Sequence, residues 1–515
     1  MNEKPKSPWR KTKRFFLGLA CLAVLIAVFY AEEDWRGWYA WHRFKHQWET
    51  KGERFDPASI IPPAVPEDQN FALTPVVFTS YGNMLTREGK EIPVKDRDTN
   101  FVNRLKMTIA HDNDSPANGT GNRQKSTLSD LKVWQQYYLA LAAKTNEFRV
   151  PPQPQSPAAD VLLALSKYDS TIEELRRAGQ LPCSRFPLEY DKDNPAAILL
   201  PHLAAMKRCS QVLQLRAIAE LQNGQSDQAL ADVKLMLRLV DSMRTEPILI
   251  SHLVRLAILQ ITLQPVWEGL VRHQWSDAQL VELNRELAGL DFLSDYKLAM
   301  RGELVLFQGG MIDFLRRHPD EFPNFSDDGN PVNTPFLARM RWRLTPSGWL
   351  YQNQLRCARP MVEIYLPVAD VNQGIISPAA AHRGDARVEA DTKHPTPFNK
   401  MERLFLSALG NAARKFAFGQ SSADLARVAI ALERYRLAQG TCPEALDALA
   451  PQFIDKLPHV VINGQPLQYR PEANGQFVLY SVGWNETDDD GEVGLGKNGA
   501  PDIGTGDWVW RYPAR

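Results

Sequence analysis

The feature that most constrains this chain is an apolar run close to its start. Residues 15–31 carry no charged side chain, and six cationic side chains precede them: Lys4, Lys6, Arg10, Lys11, Lys13 and Arg14. At ~1.5 Å per residue, a helix of this length is at the short end of what crosses a bilayer, or is a long signal-peptide core. Signal peptidase needs small residues at −3 and −1, whereas Phe29 and Tyr30 precede Ala31. We therefore expect a retained, single transmembrane helix over residues 15–31.

The charges on either side of this run predict its orientation. Glu32, Glu33 and Asp34 follow it, whereas the cations of residues 1–14 precede it. Because cytoplasmic flanks are enriched in Lys and Arg, residues 1–14 should form a cytoplasmic tail. The chain from about residue 32 onward would then lie outside, which in a bacterium is the periplasm. We expect a single-pass protein of the bacterial inner membrane, with the membrane as its first partner.

The overall charge gives no sign of a polyanionic partner. The chain has 60 Lys plus Arg and 60 Asp plus Glu, so its net charge is zero. Nucleic-acid binding domains usually carry a basic excess, and we therefore expect no nucleic-acid partner. A length of 515 residues is enough for two or three domains with a sizeable core.

Four tryptophans follow the apolar run within residues 32–60: Trp35, Trp38, Trp41 and Trp48. Their spacings of three and seven predict a helix with the indoles on roughly one side. Two interpretations remain open. The helix could lie in the headgroup zone, where tryptophan is enriched, or the indoles could pack on the domain above it.

Apolar periodicity predicts an irregular helical domain over residues 128–317. Leu203 to Leu221 form one apolar face, Asn223-Gly224 ends that helix, and Ser226 caps the next. This helical hairpin resembles one tetratricopeptide unit, but no clean repeat of about 34 residues continues it. Pro-rich residues 61–127 are expected to form a linker and loops. Residues 318–400, interrupted by Pro and Gly, are expected to form a connector with one helix near residues 349–359.

The last part of the chain, residues 401–515, changes period from helix to strand. Asp424 is interpreted as the N-cap of a long amphipathic helix that ends at Gly440, and a short second helix follows Pro443. Alternating apolar residues on either side of Asn474-Gly475 then predict a hairpin. The expected fold class is mainly α with a small α+β C-terminal domain.

The wording ALERYRLAQG, CPEALDAL, GQFVLYSVGWNETDDDG and PDIGTGDWVW, in that order, resembles the C-terminal half of the major pseudopilins of type II secretion systems. The resemblance implies a pseudopilin-like long helix with antiparallel hairpins. Prepilins carry a cleaved leader and an acidic residue five positions into the apolar helix, and residues 15–31 have no such residue. Polymerisation into a pilus is therefore not expected. With its short N-terminal anchor, the segment WRGWYAWHRFKHQWETKGE, the turn NFALTP and a helical middle, the whole chain is similar to uncharacterised bacterial membrane-anchored proteins, which implies an architecture and no activity.

In those pseudopilins the acidic loop holds a calcium ion, so the resemblance implies a structural Ca²⁺ site here. The candidate ligands supply side-chain oxygens, which Ca²⁺ prefers: Asn485, Asp488, Asp490, Asp502 and Asp507. An EF-hand is excluded, because Lys497 would occupy the position of the bidentate Glu. The alternative is a solvated acidic turn, since Asp, Asn and Gly favour turns on their own account.

The sequence carries no nucleophile-elbow, phosphate-loop or HExxH signature. The leading hypothesis is an envelope scaffold or adaptor with an envelope protein as partner, linked to a type II secretion-like assembly. One alternative is a periplasmic hydrolase that uses acids of the helical domain, such as Glu282, Glu286 and Asp295. Another is a tetratricopeptide-like groove that binds peptides.

The cysteines leave two states open. Outside the apolar run there are four: Cys183, Cys209, Cys357 and Cys442. In an oxidising compartment they allow three full pairings, of which a Cys183–Cys209 bridge is preferred. Buried free thiols are the alternative.

Overall fold

The computed structural model describes residues 8–111, 114–116, 119–319, 321, 340, 343–394, 396–407, 409–472 and 475–513. The described chain is mainly helical, with short antiparallel strands concentrated near its C-terminal end, which confirms the expected fold class at this level. The helices are α1 Pro8–Glu49, α2 Pro75–Phe78, α3 Leu131–Ala142, α4 Pro157–Leu165, α5 Asp169–Gly179, α6 Pro201–Gln222, α7 Ser226–Ser242, α8 Leu249–Val271, α9 Asp277–Ala288, α10 Phe292–Gly302, α11 Gly310–Arg317, α12 Ser347–Pro360, α13 Pro378–Thr392, α14 Lys400–Leu406 and α15 Leu409–Gln439. The strands are β1 Ala369–Asp370, β2 Ile375–Ile376, β3 Gln468–Pro471, β4 Phe477–Ser481, β5 Val493–Leu495, β6 Pro501–Gly506 and β7 Trp508–Arg511.

Helix α1 joins the apolar run to the rest of the protein without a break. Its most apolar 18-residue window has a mean hydropathy of 2.3 and no buried residue, so by length and composition it can act as a membrane anchor or a signal sequence. A second helix, α8, passes the same test, but 61% of its window is buried inside the protein. A buried helix of that composition is explained by the core it fills.

The second half of α1 packs on the body, and this divides the tryptophans. Trp35 and Trp38 are exposed, Trp41 is buried beside Phe44, and Trp48 is half-buried. The expectation that all four indoles share one side is wrong, because each step of three residues rotates a helix position backward by about 60°. Trp35 and Trp41 therefore face different ways: Trp41 packs on the body, as the second interpretation expects, whereas the exposed Trp35 and Trp38 do not.

The body is built around the hairpin of α6 and α7, with α8 packed on both helices. Gly224 has a φ of 76° in the turn between them, a conformation that glycine adopts at little cost. Residues 61–127 are not a free linker, because Phe71, Val77 and Tyr81 are buried in the main core. The apolar residues of that segment cover α6 and α5, so the segment folds as part of the body.

The described part of residues 318–400 contains more helix than the expected connector with one helix. The helix expected near residues 349–359 is confirmed as α12, and α13 is a second, unexpected helix, capped by the Ser377 hydroxyl. Residues 322–339 lie outside the described residues.

The long C-terminal helix starts earlier than expected. Helix α15 begins at Leu409, and Asp424 lies in its interior, buried, where Gln420 donates a hydrogen bond to it at 3.2 Å. The N-cap interpretation of Asp424 is wrong because nothing upstream breaks the helix and Phe416 buries its ring in the core. The short second helix is a 3₁₀ turn, Leu446–Leu449.

The strands after α15 form a three-stranded antiparallel sheet in the order β3-β4-β7, and β5 pairs with β6 beside it. Strand β4 is buried on both faces: Leu479 belongs to the main core, whereas Val478 and Tyr480 form a small cluster with Val509. At the hairpin turn, Gly475 has a φ of 74°, and Asn474 lies outside the described residues.

The sheet is docked on the helical body. The indole N–H of Trp267 in α8 donates to the carbonyl of Arg511 at 2.9 Å, and the Arg123 guanidinium lies 4.9 Å from the Trp510 ring centre. The main hydrophobic core accordingly includes residues from Trp41 to Trp510. The C-terminal unit and the helical body therefore share one core.

All five cysteines are free thiols. The preferred Cys183–Cys209 bridge is wrong, because Cys209 is buried with its sulfur 3.4 Å from that of Met107, whereas the backbone of Cys183 pairs with Asn70. Burial raises the pKa of the Cys209 thiol to about 12, so this thiol is held protonated.

Candidate functional site

The predicted calcium ligands lie in a loop whose carboxylates mostly accept hydrogen bonds from the protein itself. Asp507 accepts from the backbone amides of Asp489 at 3.0 Å and Gly491 at 2.8 Å. Asp488 accepts from the Tyr480 hydroxyl at 3.1 Å and from the amide of Asp490 at 3.0 Å. These bonds fold the loop back over the outer face of β4.

Of the other three candidate ligands, Asp490 is exposed, and two take part in different contacts. The Asn485 amide donates to the Asp489 carboxylate at 2.8 Å, and Asp502, on β6, accepts from the amide of Gly504 at 2.9 Å. Within the described part of the chain, no three His, Cys, Asp or Glu side chains converge as a metal site.

Asp507 is the candidate ligand with a buried carboxylate oxygen that accepts no hydrogen bond. Its residue is 2% exposed, and its Oδ1 is buried without a hydrogen-bond donor. Burial raises the pKa of this carboxyl to about 6, and the charges of Asp488 and Asp489 add to the effect. A cation beside Oδ1 would offset the cost of burying this carboxylate in its charged form, and the carboxylates of Asp488 and Asp489 are close enough to add negative charge there.

The acids named for a hydrolase do not converge. Glu282 pairs with Lys234 at 2.6 Å, whereas Asp295 is buried and pairs with Arg255 at 2.5 Å. Burial raises the pKa of Asp295 to about 6 although Arg255 opposes the shift. Glu286 lines a surface cavity that Lys234, the partner of Glu282, also lines, whereas buried Asp295 is not among its lining residues, so the three carboxylates do not share one site.

That surface cavity, of about 520 Å³, lies between α5, α7 and α9. Its lining is charged and aliphatic, with Arg176, Lys234 and Arg285 opposite Asp227 and Glu286, and it includes no aromatic side chain. Because aromatic side chains are enriched where proteins bind peptides and other proteins, this cavity lends the peptide-groove alternative no support.

A buried polar network connects His202, in the first turn of α6, to Tyr81 and Glu246. The Tyr81 hydroxyl is 3.1 Å from Nδ1 of His202, and Nε2 of His202 is 2.9 Å from the Glu246 carboxylate. The arrangement of hydroxyl, imidazole and carboxylate resembles a catalytic relay, but all three side chains are buried in the body. It ties together segments that are distant in sequence and offers no face to a substrate.

A cavity of about 650 Å³ lies where α1 meets α12, α13 and α14. We call it the arginine pocket. Four guanidiniums line it together with two carboxylates, so its lining has a net charge of four minus two, or +2. Its lining residues are Arg36, Ala40, Gln352, Leu355, Arg356, Arg359, Pro360, Arg387, Asp391, Phe398 and Glu402.

The four arginines differ in the distance from their guanidinium groups to the nearest carboxylate. Arg387 bonds Asp391 at 2.7 Å, and Arg36 bonds Glu33 at 2.5 Å. Arg356 is 3.8 Å from the Glu402 carboxylate, too far for a hydrogen bond.

Arg359 lies 5.8 Å from the Phe44 ring centre. Within the described residues, no carboxylate forms an ion pair with Arg359. Among the residues that the structure describes, the guanidiniums of Arg356 and Arg359 are therefore hydrogen-bonded to no carboxylate, and their N–H groups can turn toward an anion.

Glu402 closes the inner side of the arginine pocket. The residue is 1% exposed, and its Oε2 has no hydrogen-bond donor. Burial raises the pKa of Glu402 to about 7, the charge of Asp391 adds to this, and Arg356 and Arg387 oppose it.

Sequence reasoning missed the arginine pocket. Arg36, Arg356 and Arg387 are far apart in the chain, and α13 was expected to be a loop. The one available signal was the pair Arg356 and Arg359, whose spacing of three places both on one face of a helix. Comparisons with protein-family models, with curated proteins and with solved structures give no match for this chain.

Proposed function

We propose that this protein is a membrane-anchored scaffold or adaptor of the bacterial envelope. In this proposal α1 holds the protein in the inner membrane, residues 1–14 are cytoplasmic, and the body lies in the periplasm. The observation that carries the proposal is the division of α1: its apolar half is almost wholly exposed among the described residues, and it continues into a half that is packed into the body.

The way α1 leaves the apolar run supports a fixed attachment. The Trp349 indole N–H donates to Glu33 at 2.8 Å, and the amide of Gly348 donates to Asp34 at 2.8 Å. These bonds begin two residues after Ala31. A body attached so closely to its anchor is held at a set distance and orientation from the lipid surface, which is what a scaffold requires.

The element order of the C-terminal unit supports a link to a secretion-like assembly. A long helix, α15, is followed by the β3-β4-β7 sheet and an acidic loop, as the pseudopilin resemblance implies. We further propose that this loop takes a structural Ca²⁺ through Asp507 and Asp488, supported by the buried Oδ1 of Asp507 that lacks a donor. The ion would supply positive charge to the loop and no chemistry beyond that.

Carbonate extraction tests the anchoring part of the proposal. Full-length protein, with residues 1–31 verified by mass spectrometry, should remain in the membrane pellet after a carbonate wash. Crosslinking in intact cells followed by affinity purification should then return an envelope protein. Recovery of the intact chain in the aqueous fraction would refute anchoring, and crosslinking that returns no envelope protein would refute the scaffold role.

A further inference from the structure

We propose that the arginine pocket binds the phosphate of a phospholipid in the leaflet where α1 ends. The inference rests on the proposed membrane insertion of α1. It assigns to this body a lipid ligand in addition to its anchor.

The pocket offers the groups that a phosphodiester needs. A guanidinium donates through a planar fork that matches two phosphate oxygens, and such charge-assisted bonds are among the strongest in proteins. Arg356 and Arg359 are three residues apart on one face of α12, and neither is hydrogen-bonded to a carboxylate within the described residues. Both can therefore turn their N–H groups toward one anion.

The remaining charged groups hold the pocket in shape. Asp391 fixes the guanidinium of Arg387 through Nε at 2.7 Å, and Glu33 fixes that of Arg36 at 2.5 Å. The Arg359 guanidinium lies over the Phe44 ring, 5.8 Å from its centre. Ordering of these side chains before the ligand arrives lowers the entropic cost of binding.

The lining is not wholly polar, and this favours a lipid over a free phosphate. Leu355, Pro360 and Phe398 form an apolar part of the wall. Such a wall has no role for inorganic phosphate, but it can contact the glycerol and the first acyl carbons of a phospholipid. Ala40, one helical turn beyond Arg36 on α1, also lines the pocket.

The pocket begins at the level of the lipid phosphates, at Arg36, and continues away from the membrane to Arg359, which lies beside Phe44. A helix over residues 15–31 spans ~26 Å, compared with a hydrocarbon core of ~30 Å inside a bilayer of ~40–45 Å. Arg36 is five residues beyond Ala31, or ~8 Å along the axis, and so falls within the headgroup layer. Trp38 and Tyr39 lie two and three residues farther along α1 and are exposed, as aromatic residues of the membrane interface are.

Binding of short-chain lipids to the full-length protein in detergent tests the assignment. Dihexanoyl phosphatidylglycerol and dihexanoyl phosphatidylethanolamine are titrated and their adducts are counted by native mass spectrometry. Dihexanoylglycerol, which lacks the phosphate, and inorganic phosphate are the comparison ligands. We expect one phospholipid per chain, no specific dihexanoylglycerol adduct, and no competition by equimolar inorganic phosphate.

Variants locate the site. Arg359→Gln should weaken phospholipid binding about tenfold, because it removes charge-assisted hydrogen bonds. Ala40→Glu, which adds a negative charge to the wall, should weaken it similarly, whereas Ala40→Gln adds the same volume without the charge and should bind more tightly than Ala40→Glu. Arg285→Gln, at a side chain that is 68% exposed on α9, is the control and should bind as wild type does.

Three results would overturn the assignment. These are unchanged affinity in both Arg359→Gln and Ala40→Glu, equal binding of dihexanoylglycerol, or full displacement of the lipid by equimolar inorganic phosphate, which would assign the site to a free anion. Carbonate extraction of the same protein separates this failure from that of the proposed function. A chain that stays in the membrane but shows no phosphate-dependent lipid binding refutes only the pocket assignment.

Discussion

The crossing of α1 and α12 gives a sharp test of how the apolar helix is attached to the body. A Cβ atom added at Gly37 would overlap the backbone of Gly348, and one added at Gly348 would overlap the backbone of Glu33. In both cases the obstacle is backbone, which cannot turn aside as the end of a flexible side chain can. We therefore expect Gly37→Ala to force the two helices apart.

Two effects of opposite sign set the size of the change. Alanine in a helix interior is more stable than glycine by ~1 kcal/mol. Overpacking costs ~1–3 kcal/mol, and a backbone obstacle favours the upper end of that range. Separation of the helices also weakens the burial of Trp41 and the bond between Glu33 and Trp349. The net result should be a loss of ~2 kcal/mol or more.

The assay is chemical unfolding of the full-length protein in mild detergent, followed by tryptophan fluorescence. Gly18→Ala is the matched control, because Gly18 lies in the same helix with no atom within 4 Å of an added Cβ. The control should unfold at the wild-type denaturant concentration or above it. If Gly37→Ala were as stable as Gly18→Ala, close backbone packing of α1 on α12 would be refuted.

Three further predictions follow from buried groups. Burial raises the pKa of Asp507 to about 6, so the stability that its protonated form contributes is present below pH ~4 and is lost as the pH rises through 6. In the presence of chelator, the unfolding free energy of the wild type should fall by up to ~3 kcal/mol relative to that of Asp507→Asn over this pH window. Added Ca²⁺ should reduce the fall. Parallel pH profiles for the two proteins would contradict this. Arg123→Ala should destabilise the protein by ~2–4 kcal/mol in thermal unfolding, because it removes the cation–π contact with Trp510 and leaves the Gln260 side chain without its hydrogen-bond donor. The control, Arg285→Ala at an exposed side chain, should change stability by less than ~0.5 kcal/mol. Alkylation in denaturant without reductant should modify all five cysteines, and a smaller number would show that a disulfide forms.

Periodicity within one element was enough to predict much of the fold. The hairpin of α6 and α7, the helix α12 and the antiparallel sheet each follow from local spacing of apolar residues and turn formers. The start of α15 was mistaken because Asp424 has the side chain of an N-cap. Its burial depends on neighbours that the local sequence does not show.

The candidate site was beyond local reasoning for a related physical reason. The arginine pocket needs α1, α12, α13 and α14 to meet, and no periodicity within one helix specifies that meeting. Likewise, β4 is buried on both faces because the acidic loop covers one of them. The alternation of apolar residues along this strand predicted burial of one face only. Which faces become buried is decided by tertiary packing.

Reactivity of Cys21 tests the central claim, that lipid covers the first half of α1, most directly. Cys21 is exposed in the structure, within residues 15–31, so no residue that the structure describes shields its thiol. A thiol reacts as its thiolate, which is disfavoured in hydrocarbon. In sealed membranes a water-soluble maleimide should leave the Cys21 peptide unmodified by mass spectrometry, and labelling should appear once SDS dissolves the membranes. Equal labelling of Cys21 before and after SDS would contradict the account.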